Sequence, residues 1–469
     1  MSSEDAQAAR AEAIHARNTA PADTGMTPPR PLGSVYMGDF RAPALEVVRV
    51  AVIGIGTKRG MPQTRLFAEI PHCELVAVCD VYEDATREIA EFYAAETGRR
   101  PACYHGSPEA YLRLLDEVKP DAVFIHTPWE THAQVAIDVM EHGAHAFVEV
   151  PLAVTLGDLW RVVDTAERTQ KHCMMLENVN YGREELMFLN IVRQGLIGEL
   201  LHGEAAYLHD LREQMEDAER GCGSWRTYHY AARNGNLYPT HGLGPVAQYM
   251  SLARGADTFE RIVSLGSPAL GRAAYAKRRF PPEHPWNRLE YKCADVSSSI
   301  IRTKAGRTIL LQWDETSPAP YDRRNVVRGT EGALAGFPLR VAGERLSPPL
   351  SPEQMQLSGL CDPWRIWFQG PEAEAALYAQ FEHPLYRRLG ESACRLCKTH
   401  NCMNFIMLSR VIECLHAGEP MDQNVYEGAL WSAVAPLSEK SVHEGGAPQL
   451  FPDFTRGGWR TTLPLTIVH

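Results

Sequence analysis

The sequence predicts two folded parts in series: a doubly wound α/β domain over residues 46–178, then an α+β domain with a mostly antiparallel open sheet over residues 179–469. Three observations carry this. The run "VVRVAVIGIG" from Val47 is continuously apolar, as expected of a strand buried on both faces. Strand-like and helix-like stretches then alternate to Asn178, which implies a parallel sheet with right-handed crossovers. Beyond that point strand-like segments crowd together, the texture of antiparallel pairing.

In order, "QTRLFAEI" predicts a helix, "ELVAVCDV" a strand, "DATREIAEFYAAET" a helix and "ACYH" a short strand. "SPEAYLRLLDEV" reads as a helix with Ser107 at its N-cap and Glu109 and Ala110 in its first turn. "DAVFIHTP" is a strand, "THAQVAIDVMEHG" a helix closed by Gly143, and "HAFVEVP" a strand. The helix "LGDLWRVVDTAERTQ" and the strand "HCMMLEN" complete the series. In the second part "LLHGEAAYLHD", "ERIVSLGS", "DVSSSIIRTKAGRTILLQWDE" and "NVVRGTEGALAGF" predict strands, with Gly306 at a hairpin turn and helices before and after the sheet. Residues 1–45 are polar and rich in Ala, Pro and charge, and read as a flexible leader and proline-rich linker with room for one short helix. They carry neither an apolar signal core nor a twin-arginine signal, so a cytoplasmic location is expected.

A chain of 469 residues, 45% hydrophobic and 22% charged, suits a soluble globular protein with a sizeable core. Its net charge of −11 argues against a nucleic-acid partner. No apolar run approaches the roughly 18 residues that span a bilayer, so no membrane partner is expected. Eleven cysteines, an odd number scattered along the chain, fit reduced thiols better than a disulfide framework. "CRLCKTHNC" brings Cys394, Cys397, His400 and Cys402 together on one short segment, whereas structural zinc sites pair ligands across a longer loop. These are read as ordinary thiols at the start of the helix "MNFIMLSRVIECL", and no metal is expected.

The first strand runs directly into "GIGTKRG". Gly54 and Gly56 match the first two glycines of the dinucleotide fingerprint; Arg59 sits where the third is expected, and Gly60 follows. Asp80 ends the second strand, 24 residues after Gly56, where a carboxylate accepts from the adenosine ribose hydroxyls. That carboxylate repels a 2′-phosphate and favours NAD, while Lys58 and Arg59 argue the other way; NAD is the expected cofactor. "HTPWETHA" ends the fourth strand at the ligand-binding edge, where Trp129 and His132 wall the nicotinamide, unless Trp129 merely plugs a strand–helix corner. Glu149, Val150 and Asn178 supply further contacts along the same edge.

The strand-end "TP" and "EVP" motifs resemble the Gfo/Idh/MocA oxidoreductase superfamily. The later segments "ENVNYGREELMFLNIVRQGLIGELLHGEAAYLHDLR", "WRTYHYAARNGNLYPTHGLGPVAQYM" and "WSAVAPLSEKSV" with "FPDFTRGGW" resemble glycoside hydrolase family 109, from about residue 48 to the C-terminus. This resemblance implies a Rossmann-type NAD domain and a Gfo/Idh/MocA-type second domain. Between the Glu and Pro of "EVP", sugar dehydrogenases of the superfamily keep a proton-handling lysine; here, as in family 109, it is Val150. The implied activity is hydrolysis of a hexosaminide or hexoside, of the N-acetylgalactosaminide kind. The cycle oxidises C3, eliminates the C1 substituent, adds water and re-reduces C3, with NAD recycled in the site.

Carried over by motif, Lys58, Arg59, Asp80, Trp129, Glu130, Thr131, His132, Glu149, Val150 and Asn178 contact NAD. Tyr207, Arg226, Tyr238, Pro239, Thr240, His241 and Tyr321 contact the sugar. On residues alone a histidine in "YPTHGLGP" is more often a packed loop histidine; the resemblance makes His241 catalytic, with Tyr238 and Tyr181 as further candidates. Tyr181 opens a helix and reads equally well as packing. The superfamily's Asp four residues before that histidine is Leu237 here, so another group must orient the ring. Asn401, Cys402 and Asn404 replace Gly, Gly and Asp of the family pattern, and Ala319 replaces an arginine, which implies a shifted substrate. An NAD-dependent sugar or cyclitol oxidoreductase and a catalytically idle NAD-binding protein are the alternatives. The open sheet makes a homodimer expected.

Overall fold

A computed structural model describes residues 2–20, 27–56, 58–348, 351, 353, 356, 366–396 and 402–467. After the N-terminal helix α1 (Ser3–Thr19), the first sheet is built from β1 (Val48–Ile53), β2 (Cys73–Cys79), β3 (Ala102–Tyr104), β4 (Ala122–Ile125), β5 (His145–Val148) and β6 (Cys173–Met175). Its helices are α2 (Gly60–Leu66), α3 (Glu83–Thr97), α4 (Ala110–Val118), α5 (His132–Glu141) and α6 (Leu156–Thr169). The strand order is β3-β2-β1-β4-β5-β6 with every pair parallel, the Rossmann order, and its switch point lies between β1 and β4. Period-2 alternation splits the sheet's side chains between two cores. Val48, Val50 and Val52 face one, and Ala51 and Ile53 face the other.

The second part contributes α7 (Arg183–Arg193), β7 (Leu200–Leu208), α8 (Gly223–Ala232), α9 (Thr240–Tyr249), β8 (Phe259–Gly266) and α10 (Gly271–Arg279). The hairpin β9 (Val296–Thr303) and β10 (Thr308–Asp314) turns at Gly306, whose φ of 89° lies in the left-handed region. Then come the short strands β11 (Val326–Gly329), β12 (Ala333–Ala335), β13 (Arg340–Ala342) and β14 (Phe368–Gln369). Last are α11 (Pro371–Phe381), α12 (Pro384–Leu396), α13 (Met403–Ala417), α14 (Val425–Ser432), α15 (Val434–His443) and β15 (Gln449–Leu450). These strands form one nine-stranded sheet, antiparallel except for the β7–β10 pair.

Two expectations need correction. The leader is not wholly flexible: α1 is a 17-residue helix with a Ser2–Asp5 capping box, packed on α8 and α15 through buried Ala11 and Ile14. His15 and Asn18 both reach the buried Glu439 carboxylate, at 2.9 Å each, which ties the helix to the body. Downstream, Arg30 pairs with Glu167, and Tyr36 stacks on Tyr426. Ser107 does not cap α4 either. It heads a turn closed by Ala110 N–H to the Ser107 carbonyl, and the helix starts three residues later with Glu109 at the N-cap position.

The two parts also share cover. Helix α13, some 230 residues beyond the first domain, packs on β1 and α2 and fills one face of the first sheet with Phe405, Ile406 and Val411. Cys397, His400 and Asn401 lie outside the described residues; Cys394 and Cys402 approach to 2.9 Å sulfur to sulfur. No described helix is long and apolar enough to cross a membrane.

Candidate active site

The site forms where the carboxyl edge of the first sheet meets the second sheet. At the β1–α2 turn, Gly54 has a φ of 85°, and a Cβ there would stand 2.8 Å from the His126 carbonyl carbon and the Thr127 nitrogen of the β4 edge. Gly60 does the work of the displaced third glycine: a Cβ on it would meet the Gly54 carbonyl oxygen at 2.5 Å, so only glycine lets α2 begin against the turn. Asp80 Oδ2 accepts from Ile55 N–H at 2.7 Å and Gly56 N–H at 2.8 Å, and Oδ1 accepts from Tyr82 N–H at 2.9 Å. The carboxylate thus braces the glycine turn.

Glu149, buried past the end of β5, takes a two-pronged bond from Arg59, with Nε and Nη2 each at 3.0 Å, and one from Gln63 Nε2 at 2.7 Å. Burial alone would raise its pKa. The Arg59 guanidinium and the His126 ring overcome that and hold the carboxyl well below the usual range. Both His132 nitrogens lie 2.7 Å from backbone carbonyls, of Pro151 and Thr127, and burial pushes its pKa down. A neutral ring donates to only one of these. His132 sits between the β4 and β5 ends and bonds one of the two carbonyls. Val150, 2% exposed, places an apolar side chain between Glu149 and Pro151.

Lys58 points elsewhere, with both Asp217 oxygens 2.8 Å from its Nζ. Asn178 donates through Nδ2 to Asn404 Oδ1 at 2.8 Å, while its own Oδ1 is buried without a partner. One departure from the family pattern therefore holds an edge residue of the first sheet; Ala319 is exposed.

From the second part, α9 delivers His241 in its first turn. His241 Nδ1 lies 2.7 Å from Oε1 of Glu177, a fully buried carboxylate just beyond β6. This carboxylate replaces the aspartate missing at Leu237, and it comes from the other domain. Sequence reasoning missed it: the two residues lie 64 positions apart, and only the "EN" at a strand end pointed to the position. Around His241 stand Tyr207, with ring centroids 5.1 Å apart, and Tyr238, at 4.9 Å. Tyr321, edge-on to Tyr207 and 40% exposed, forms the open side, and its hydroxyl accepts from Arg323 Nη1 at 2.7 Å.

Arg226 lies over three rings, Trp129 at 4.7 Å, Tyr238 at 5.0 Å and Trp225 at 5.2 Å, a cation–π cage that fixes the guanidinium. Trp129 in turn stacks on Tyr238, which links nucleotide edge and phenol cluster. Glu130 faces His229 at 3.4 Å, and Thr131 bonds Thr127. Pro239 and Thr240 form the N-terminus of α9. Tyr181 is placed apart: its phenol donates to Asp422 Oδ2 at 3.1 Å beside Arg410, and it packs in the core that α13 covers.

The edge fits a dinucleotide. Gly54 and Gly60 let the turn close against the β4 edge and the start of α2, a Cβ on Gly56 would meet nothing within 4 Å, and Trp129 Nε1 and Asn178 Oδ1 are buried polar atoms lacking partners. Fold and site together define an enzyme that couples a bound dinucleotide to acid–base chemistry on a small polar ligand.

The profile "Oxidoreductase family, NAD-binding Rossmann fold" matches residues 48–177, and "Glycosyl hydrolase 109, C-terminal domain" matches residues 181–461. Glycosyl hydrolase family 109 protein 1 of Akkermansia muciniphila is 57% identical over 94% of this chain and 89% of its own length. An alpha-N-acetylgalactosaminidase of Shewanella oneidensis is 48% identical over 95% of this chain and 94% of its own. An Agrobacterium radiobacter oxidoreductase, solved with NAD+, L-tartaric acid and magnesium, superposes with a TM-score of 0.57 over 87% of this chain and 98% of its own; at 16% identity it shows the fold alone. The chain belongs to glycosyl hydrolase family 109, and it is an NAD-dependent glycoside hydrolase.

Proposed function

We propose that the chain cleaves an α-N-acetylgalactosaminide or a closely related hexosaminide by oxidation at C3, elimination, water addition and re-reduction. When bound, NAD supplies a reversible oxidation of the C3 carbinol. The observation that carries the proposal is the buried Glu177–His241 pair in a chain that has buried Val150 at the position of the dehydrogenase lysine. A proton acceptor is present where the dehydrogenase lysine is not.

In this reading His241 takes the C3 hydroxyl proton, while Glu177 holds the Nδ1 proton and steadies the imidazolium, which leaves Nε2 to work. Tyr207, Tyr238 and Tyr321 line the sugar, and the phenols of Tyr207 and Tyr238 stay protonated because burial raises their pKa values. Arg226 orients polar groups from within its aromatic cage. Arg59, Asp80, Trp129, Glu149, Val150 and Asn178 form the NAD side. Lys58, Glu130, Thr131 and His132 act there through the residues they hold. Tyr181 serves the core.

The parallel-sheet part over 46–178 holds the cofactor, and residues 179–469 bring the sugar to it. The homodimer joins through the open face of the nine-stranded sheet, where Leu265 and Ile300 are 60% and 58% exposed. A cytoplasmic location fits the free thiols of Cys79, Cys173 and Cys293. An aryl α-N-acetylgalactosaminide incubated with the NAD-loaded protein tests the reading. Aglycone release without growth of the reduced-nicotinamide absorbance is expected; NADH in proportion to substrate, with no aglycone, would support the sugar oxidoreductase instead.

A further inference from the structure

Beside the His241 pair stands a second acid–base pair that motif reasoning did not assign. His209 follows β7 directly, and its N–H donates to the Asp314 carbonyl at 2.8 Å, which pins the residue to the end of β10. Two positions before it on the same strand face, Tyr207 sits with its hydroxyl 2.9 Å from His209 Nδ1. The phenol is buried, whereas the imidazole is only partly buried and lies edge-on to Tyr321 at 4.9 Å. The ring therefore spans the distance between a buried phenol and solvent.

We propose that His209 is a positioning residue for the glycosidase reaction, passing a proton between solvent and Tyr207 as Tyr207 protonates the departing glycosidic oxygen. The proposal rests on the reading above. With hydrogen on Nδ1, the imidazole donates to the phenol oxygen and leaves the phenol O–H free for a ligand. In the elimination a base takes the C2 proton, the C2 electron pair closes the C1–C2 double bond, and the C1–O bond breaks onto oxygen. That oxygen takes the Tyr207 proton, Tyr207 takes the Nδ1 proton, and Nε2 takes one from solvent. Water addition at C1 runs the relay backward and returns the proton, so the relay is neutral over a turnover.

Burial lowers the His209 pKa and raises that of Tyr207, so both are uncharged at neutral pH. Glu315 after β10, His241 on α9, Glu213 on the following turn, Asp210 and Tyr321 are the titratable groups that face the ring.

The test compares two glycosides of one sugar, para-nitrophenyl and methyl α-N-acetylgalactosaminide, on the full NAD-loaded chain. Nitrophenolate leaves without a proton and methoxide does not. His209→Ala should stay within about 3-fold of wild type on the aryl glycoside and fall about 10- to 100-fold on the methyl glycoside. Added imidazole should restore the methyl rate in His209→Ala, and His209→Gln, which holds a hydrogen bond but relays no proton, should be as slow. Equal loss on both glycosides, or no loss on either, overturns the relay. A wild-type chain that releases neither aglycone overturns the proposed α-N-acetylgalactosaminide substrate, and with it the relay argued for that substrate.

Discussion

At the scale of single residues, the account turns on His241, Glu177, Val150 and Tyr181. Removing the ring with His241→Ala should cut turnover about 10²–10⁴-fold, the usual worth of a general acid–base group, while NAD binding measured by nicotinamide fluorescence or calorimetry is retained. Near-normal turnover in a folded variant would shift the role to Tyr238. Val150→Lys should not raise hydrolysis, and it should weaken NAD binding, because the position is buried and an ammonium there is costly to desolvate. Tyr181→Phe should lower stability by about 1 kcal/mol through the lost Asp422 hydrogen bond, with turnover unchanged within about 3-fold. A large loss of turnover at unchanged stability would return Tyr181 to the catalytic set. The clustering of His241 with the phenols was expected from the family resemblance, since on residues alone a histidine in "YPTHGLGP" reads as packing. Glu177 was not, since its partner is set by the docking of two domains rather than by local spacing.

At the scale of elements, strand–helix alternation made the first sheet readable: each strand is short, apolar and bounded by turn residues. What escaped was packing between elements distant in sequence. The polar composition of residues 1–45 left room for a short helix but concealed its docking, because the buried Ala11 and Ile14 of α1 are too few to show a clear apolar stripe. Deleting residues 2–20 should lower the thermal midpoint, since it strips His15 and Asn18 from Glu439 and leaves Arg233 as that carboxylate's main cation. An unchanged midpoint would return α1 to the role of a loose leader. A pH effect belongs to the β5–β6 edge. His172 N–H donates to His145 Nδ1 at 2.9 Å, and burial lowers the His172 pKa from 6.5 to about 4. A histidine held neutral in the fold contributes stability that is intact above pH 6.5 and is lost as pH falls from 6.5 toward 4. About 2 kcal/mol should be gone by pH 5, as read by denaturant unfolding, and His172→Gln should flatten the slope.

For the whole molecule, the proposed site takes its nucleotide edge from the first part and its phenols from the second, and the proposed reacting pair takes one member from each, Glu177 after β6 and His241 on α9. Neither part alone holds the Glu177–His241 contact, and helix α13 crosses back to cover the first sheet and to fix Asn178 through Asn404. The central claim is that the hydride removed from C3 is returned to it within one turnover while the sugar is opened to exchange at C2. Hydrolysis in heavy water, followed by mass spectrometry and proton NMR of the released sugar, tests it most directly. The account predicts one solvent deuterium at C2 in every product molecule, with the C3 hydrogen carried through from substrate. A product that keeps its original C2 hydrogen would mean direct displacement at C1 and would contradict the account.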